Sequence, residues 1–150
     1  SIYDILLSYD VLSKIPEADK NKIAVVGESM GGRYSLIATA IDTRIKGVIG
    51  ISVSGFDVKP NPLVQSNSYM LSIDPDHYID KISSRRLIML HSKNDSVVPI
   101  DLALNTFKKA KEPKEFYSFN QSVCMHGYCE PMRGELEKGL KEIFNSDNFK

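Results

Sequence analysis

Val25-Val26-Gly27-Glu28-Ser29-Met30-Gly31-Gly32 is an apolar, β-branched run that breaks into Gly-x-Ser-x-Gly. The segment behind it, Met30 to Ile41, is helix-forming with small residues on one side. Strand, tight turn and helix in that order put a serine hydroxyl at the tip of a sheet, beside the positive end of a helix dipole. Gly27 and Gly31 flank the turn, where a side chain is expected to collide with neighbouring backbone. Ser29 is therefore a candidate nucleophile, and the Met30 N–H, first behind it, a candidate oxyanion donor.

Working outward, the chain alternates helix and strand patterns. Ile2, Ile5, Leu6, Tyr9 and Leu12 recur at three- and four-residue spacing, which predicts an amphipathic helix. Pro16 to Asn21 is a turn-rich connector, and Lys22 to Val26 reads as the first strand. Gly47 to Val53, Leu87 to His91 and Glu115 to Phe119 read as three more. Pro99 to Lys111 and Pro131 to Phe144 read as helices, each opened by a proline where the missing N–H costs nothing. Strands alternating with helices of this length predict an α/β fold with a parallel sheet of about four strands flanked by helices. Residues 55–84 break the pattern. They are polar and rich in Pro, Asn and Ser, and a connector that long is expected to serve as a lid or pocket wall.

Composition narrows the class. At 150 residues the chain is a single domain, and 42% apolar residues are enough to build a core. Lys plus Arg equals Asp plus Glu at 19 each, so neither nucleic acid nor a membrane is expected as a partner. No apolar run approaches the roughly 18 residues of a membrane span. No basic segment followed by an apolar one opens the chain, so no secretory leader is expected. Cys124 and Cys129 read as two reduced thiols of a cytoplasmic protein, with a disulfide as the alternative. A metal site from Cys124, His126 and Cys129 would offer three ligands and no second knuckle, so no metal is expected.

A serine nucleophile needs a base, and the base an acid that fixes its tautomer. The chain has three histidines. His126 follows the fourth strand and reaches the edge where strand C-termini converge. His91 ends the third strand, and His77 lies in the long connector. Asp95, four residues past the third strand, is the candidate acid, and Asp57 is its competitor. Ser29, Asp95 and His126 fall in the chain order Ser, Asp, His.

These residues resemble the C-terminal half of the α/β-hydrolase superfamily, nearest to dienelactone-hydrolase-like and prolyl-oligopeptidase-like serine esterases and peptidases. The likeness runs over nearly the whole chain. It includes the opening helix with Pro16 to Ala24, the elbow Gly27 to Gly32, and Asp74-Pro75 with Tyr78 and Ile82. It continues through Leu87 to Pro99 with Asp95 and Val97-Val98-Pro99, and ends in His126-Gly127. Ser92 stands where the family commonly has Gly, and Ser83-Ser84-Arg85-Arg86 replaces a segment that often carries Pro.

The resemblance implies further strands ahead of the first helix, among them the loop that donates a second oxyanion N–H. Two expectations follow: the chain is N-terminally incomplete, and the edge of its first strand pairs with a preceding half or with another chain. A minimal hydrolase that stands alone is the alternative. The implied activity is cleavage of a small-molecule carboxylic ester by Ser29, His126 and Asp95 through an acyl-enzyme, with no cofactor. A thioesterase, a peptidase, an acyltransferase on the same three residues, or a non-catalytic binding domain are the alternatives. Glu28, Phe56 and Tyr69 are candidate substrate contacts, with Leu63 and Met70 as further apolar ones that read equally well as core. Arg33, just inside the helix, reads as a capping rather than a pocket residue.

Overall fold

The structure is a computed structural model that describes residues 1–57 and 65–145, with side chains from 68 onward in the second stretch. Its elements run in the order α1 (Ile2–Leu12), β1 (Val25–Glu28), α2 (Ser29–Ile41), β2 (Gly47–Ile51) and α3 (Gln65–Ser72), then β3 (Arg86–Ser92), α4 (Ile100–Lys109), β4 (Lys114–Phe119) and α5 (Arg133–Asn145). Two short 3₁₀ turns, Pro75–His77 and Ile79–Ile82, lie between α3 and β3, and a third, Glu130–Met132, leads into α5. The strands form one parallel sheet in the order β1-β2-β3-β4.

Alternation along the strands divides the core in two. Val48, Leu87 and Met89 point to one face, where they pack with Leu36 and Ala40 of α2, Ala103 of α4, and Ile79 and Ile82. Ile49, Ile51, Ile88 and Leu90 point to the other, against Met132, Ile143 and both cysteines. Because β2 and β3 are covered on both faces, they read as unbroken apolar runs rather than as alternating ones. Val26 lies in register with Ile49, on the α5 face, but is exposed. Among the described residues β1 has no neighbour on its outer side.

Several boundaries differ from the sequence reading for local reasons. The first strand runs on to Glu28, because Gly27 and Glu28 pair in register with Gly50 and Ile51. The second stops at Ile51, because Ser52 turns to a φ of 48° and leaves extended geometry. Within the expected lid or pocket wall, Ile79 and Ile82 are fully buried in the core. Leu63 lies outside the described residues. The unusual Arg85 caps α2, donating to the carbonyls of Thr39, Asp42 and Ile45 where the helix end leaves acceptors unsatisfied.

The reduced-thiol reading is corrected. Cys124 and Cys129 form a disulfide, with their Cα atoms 5.3 Å apart and both residues buried against β2 and β3. Gly127, at a φ of 88° between them, lets the chain turn back so that the two thiols meet, which composition alone could not reveal. Serine at both positions is expected to lower stability by about 2 kcal/mol, from loop-closure entropy restored to the unfolded chain. The thermal midpoint should then fall by roughly 4–8 °C. An unchanged midpoint in differential scanning calorimetry would reject that role. No helix among the described residues is long and apolar enough to cross a membrane.

Candidate active site

The parallel register brings the C-terminal ends of the strands to one edge, with Glu28 level with Ile51 and Ser92 level with Phe119. The loops leaving that edge carry the candidate residues. Ser29 follows Glu28 at once, as the first residue of α2, with a φ of 51°. A left-handed conformation at a non-glycine residue is strained, and it turns the hydroxyl out of the sheet. Packing holds it there. A Cβ at Gly27 would lie 2.3 Å from Ser35 Oγ and 2.5 Å from the Gly31 carbonyl oxygen. The companion expectation for Gly31 is corrected: a Cβ there meets nothing within 4 Å. The second glycine that close packing needs is Gly32, whose Cβ would lie 3.0 Å from both the Gly27 carbonyl oxygen and Val53 Cβ.

Three side chains from three loops meet at this edge. His126 Nε2 is 3.0 Å from Ser29 Oγ, and His126 Nδ1 is 3.0 and 3.1 Å from the two Asp95 oxygens. The tautomer follows from the partners. A carboxylate only accepts, so Nδ1 carries the proton, and Nε2 is left to accept from the serine hydroxyl. Asp95 has a fully buried carboxylate, while the His126 side chain is 27% exposed. Burial works against the charge on Asp95. The Val98 N–H, His126, the Ser52 hydroxyl and the Val97 N–H together outweigh it and hold the carboxyl below the ordinary carboxylate range. The two N–H groups donate to Oδ1 at 2.8 and 2.9 Å. Asp57, the competing acid, is exposed, and the acid facing His126 is Asp95.

His91 is buried behind the acid. Its Nε2–H donates to the Val98 carbonyl at 2.8 Å, which ties down the loop whose N–H groups serve Asp95. Its Nδ1 has no partner among the described residues. Burial pushes the imidazole below its ordinary pKa of 6.5, and the Val98 bond and the Asp95 charge oppose that only in part. The sign is that of a depressed group: the unfolded chain takes up the proton first, so the contribution of His91 is intact above about pH 6.5 and is lost as pH falls. The urea midpoint is expected to drop between about pH 7 and pH 5, with a shallower slope in His91→Gln, which keeps the donor. Equal slopes would reject the assignment.

Met30 has an exposed side chain, and its N–H lies in the first turn of a helix whose cap residue, Glu28, makes no capping side-chain bond. The Glu28 carboxylate turns to the histidine loop, accepting the Tyr128 N–H at 2.8 Å. Phe56 is half-buried beneath the Arg33 guanidinium, 4.2 Å from its ring centre, and Arg33 Nε donates to the Ser54 carbonyl at 2.8 Å. Tyr69 on α3 is exposed, and Met70 half-buried. His77 lies in the first 3₁₀ turn.

Two residues escaped the sequence reading. Ser52, fully buried, accepts the Gly127 N–H at 2.9 Å besides acting on Asp95. Its signal was a polar residue set directly at the end of an all-apolar strand. Ser92, noticed only as a departure from glycine, donates to the Cys124 carbonyl at 2.5 Å and accepts the Asn94 N–H at 3.0 Å. It thereby joins the acid loop to the histidine loop.

Many solved structures share this fold. Acetyl xylan esterase 1 from Thermoanaerobacterium sp. JW/SL YS485 superposes with a TM-score of 0.77 at 16% identity, over 96% of this chain and 52% of that one. The chain has the α/β-hydrolase fold. The α/β hydrolase GrgF from Penicillium sp. sh18 matches with a TM-score of 0.76 at 16% identity, over 97% of this chain and 72% of that one. In sequence, the chain is 26% identical over 116 residues to the uncharacterized protein YfhR of Escherichia coli O157:H7, which covers 74% of this chain and 41% of YfhR. No family model matches. The chain thus spans about half the length of the esterase and about two fifths of YfhR. The fold accounts for the sheet order and the gathering of loops on one edge.

Proposed function

We propose that this chain carries the nucleophile, base and acid of a serine hydrolase that cleaves carboxylic esters. One observation carries the reading: Ser29 Oγ, His126 Nε2, His126 Nδ1 and the Asp95 carboxylate form an unbroken hydrogen-bonded line with each contact near 3.0 Å. In the reaction, Ser29 Oγ attacks the acyl carbon while Nε2 takes its proton. Asp95, held charged, stabilises the imidazolium that forms. The Met30 N–H, at the positive end of α2, donates to the developing oxyanion. Collapse breaks the ester C–O bond, and His126 returns the proton to the departing alkoxide. A water deprotonated by His126 then attacks the acyl-enzyme, and Ser29 leaves with the proton. Esterases among the solved structures of this fold, such as acetyl xylan esterase 1, support the choice of an ester substrate.

The test is covalent labelling of the complete native protein by a fluorophosphonate, with the adduct located by peptide mass spectrometry. Modification confined to Ser29 in the folded protein, together with turnover of p-nitrophenyl acetate, is the expected result. A folded protein in which Ser29 stays unmodified would sink the proposal.

A further inference from the structure

Glu28 and Ser29 are joined by one peptide bond, yet the Glu28 side chain holds the far side of the site. Its Oε2 accepts the Tyr128 N–H at 2.8 Å, two residues beyond His126. Gly127, between them, has a φ of 88°, and a Cβ there would lie 2.7 Å from Glu28 Oε1, so the carboxylate sits flush on the loop backbone. The Gly127 N–H is held in turn by Ser52, at the end of β2. The two backbone N–H groups after His126 are thus gripped by side chains from two adjacent strand ends, and the β1 grip comes from the residue whose backbone leads into Ser29.

We propose that Glu28 is a positioning residue: by clasping the histidine loop it sets the separation of His126 Nε2 and Ser29 Oγ, and it is not a substrate contact. The inference rests on the serine-hydrolase reading above. Its physical basis is the short path between the two reacting groups. Glu28 is level with Ile51 in the sheet, so its Cα is fixed. From that point the chain reaches the nucleophile in one residue and the base loop through one side chain. Misplacement by about 1 Å costs such a pair on the order of 10²-fold in rate.

The experiment compares Glu28→Ala and Glu28→Gln with the wild type in the full chain. It measures kcat and KM for p-nitrophenyl acetate and the hydrogen exchange of the Tyr128 amide. The side chain is exposed, so both variants are expected to fold, as circular dichroism will check. Glu28→Ala should lower kcat by about 10- to 100-fold, with KM within about twofold, and should speed exchange at Tyr128. Glu28→Gln keeps an oxygen acceptor and should restore most of kcat. An unchanged kcat in Glu28→Ala, a rise in KM alone, or a Gln variant as slow as the Ala variant each overturns the proposal. A wild type that neither turns over the ester nor labels at Ser29 overturns the hydrolase reading and the positioning role with it. The clasp itself is then still read by slow Tyr128 exchange in the wild type and fast exchange in Glu28→Ala.

Discussion

Ser29→Ala is expected to reduce ester turnover by about 10⁴–10⁶-fold, and His126→Ala to do nearly the same. The reason is that the two act as one device. Without Oγ there is no atom to form the acyl-enzyme. Without Nε2 the hydroxyl 3.0 Å away keeps its proton and remains a poor nucleophile. The losses should therefore not add: the double variant is expected to be no slower than either single one. What rate remains would come from the Met30 N–H and from binding alone, which neither substitution touches. The Ser29 hydroxyl has His126 as its partner and is not a structural tie, so both variants should keep the wild-type circular dichroism spectrum. Turnover above a tenth of wild type in folded Ser29→Ala would mean that the nucleophile lies elsewhere.

Asp95→Asn is expected to cost about 10³–10⁴-fold in kcat with little change in fold. The amide oxygen can still accept the Val97 and Val98 N–H groups, so the acid loop keeps its shape. The amide NH₂ then faces His126 Nδ1 and donates to it, which moves the imidazole proton to Nε2. In that tautomer Nε2 points a hydrogen at Ser29 and cannot take one. The charge that would steady the imidazolium is lost as well. A proton-bearing Nε2 should be visible in the ¹⁵N spectrum of the variant, separating a change of tautomer from a collapsed site. A loss below tenfold, or an unshifted Nε2 resonance, would show that Asp95 does not govern the histidine.

How much of this could be read from the sequence depended on whether the cause was local. The β2 and β3 runs were legible because strands covered on both faces are apolar over successive positions, as Val48 to Ile51 and Leu87 to Leu90 are apart from Gly50. The elbow was legible because its strand, its glycines and its helix are contiguous. Asp95 and His126 were legible as positions after strands, and the register of four parallel strands is what makes their loops converge. What stayed hidden was tertiary. Gly31 looked as necessary as Gly27, but the tight approach belongs to Gly32, which faces Val53 just past the end of β2. Glu28 reads as a candidate substrate contact, and its tie to the histidine loop was not legible. Its partner, Tyr128, lies 100 residues away, at a distance no local pattern encodes. The core role of Ile79 and Ile82 was not legible, because their neighbours in the segment are polar and the residues they pack on belong to other elements.

The covalent link between Cys124 and Cys129 encloses His126, so the proposed general base sits inside a small ring of chain. Such rings persist where the surroundings are oxidising and are scarce where glutathione and thioredoxin keep thiols reduced. The expectation of a cytoplasmic protein leaned on two free thiols, and it loses that support. Alkylation of the protein under denaturing conditions without reductant is expected to leave both cysteines unmodified, and they should become reactive only after treatment with a dithiol reductant.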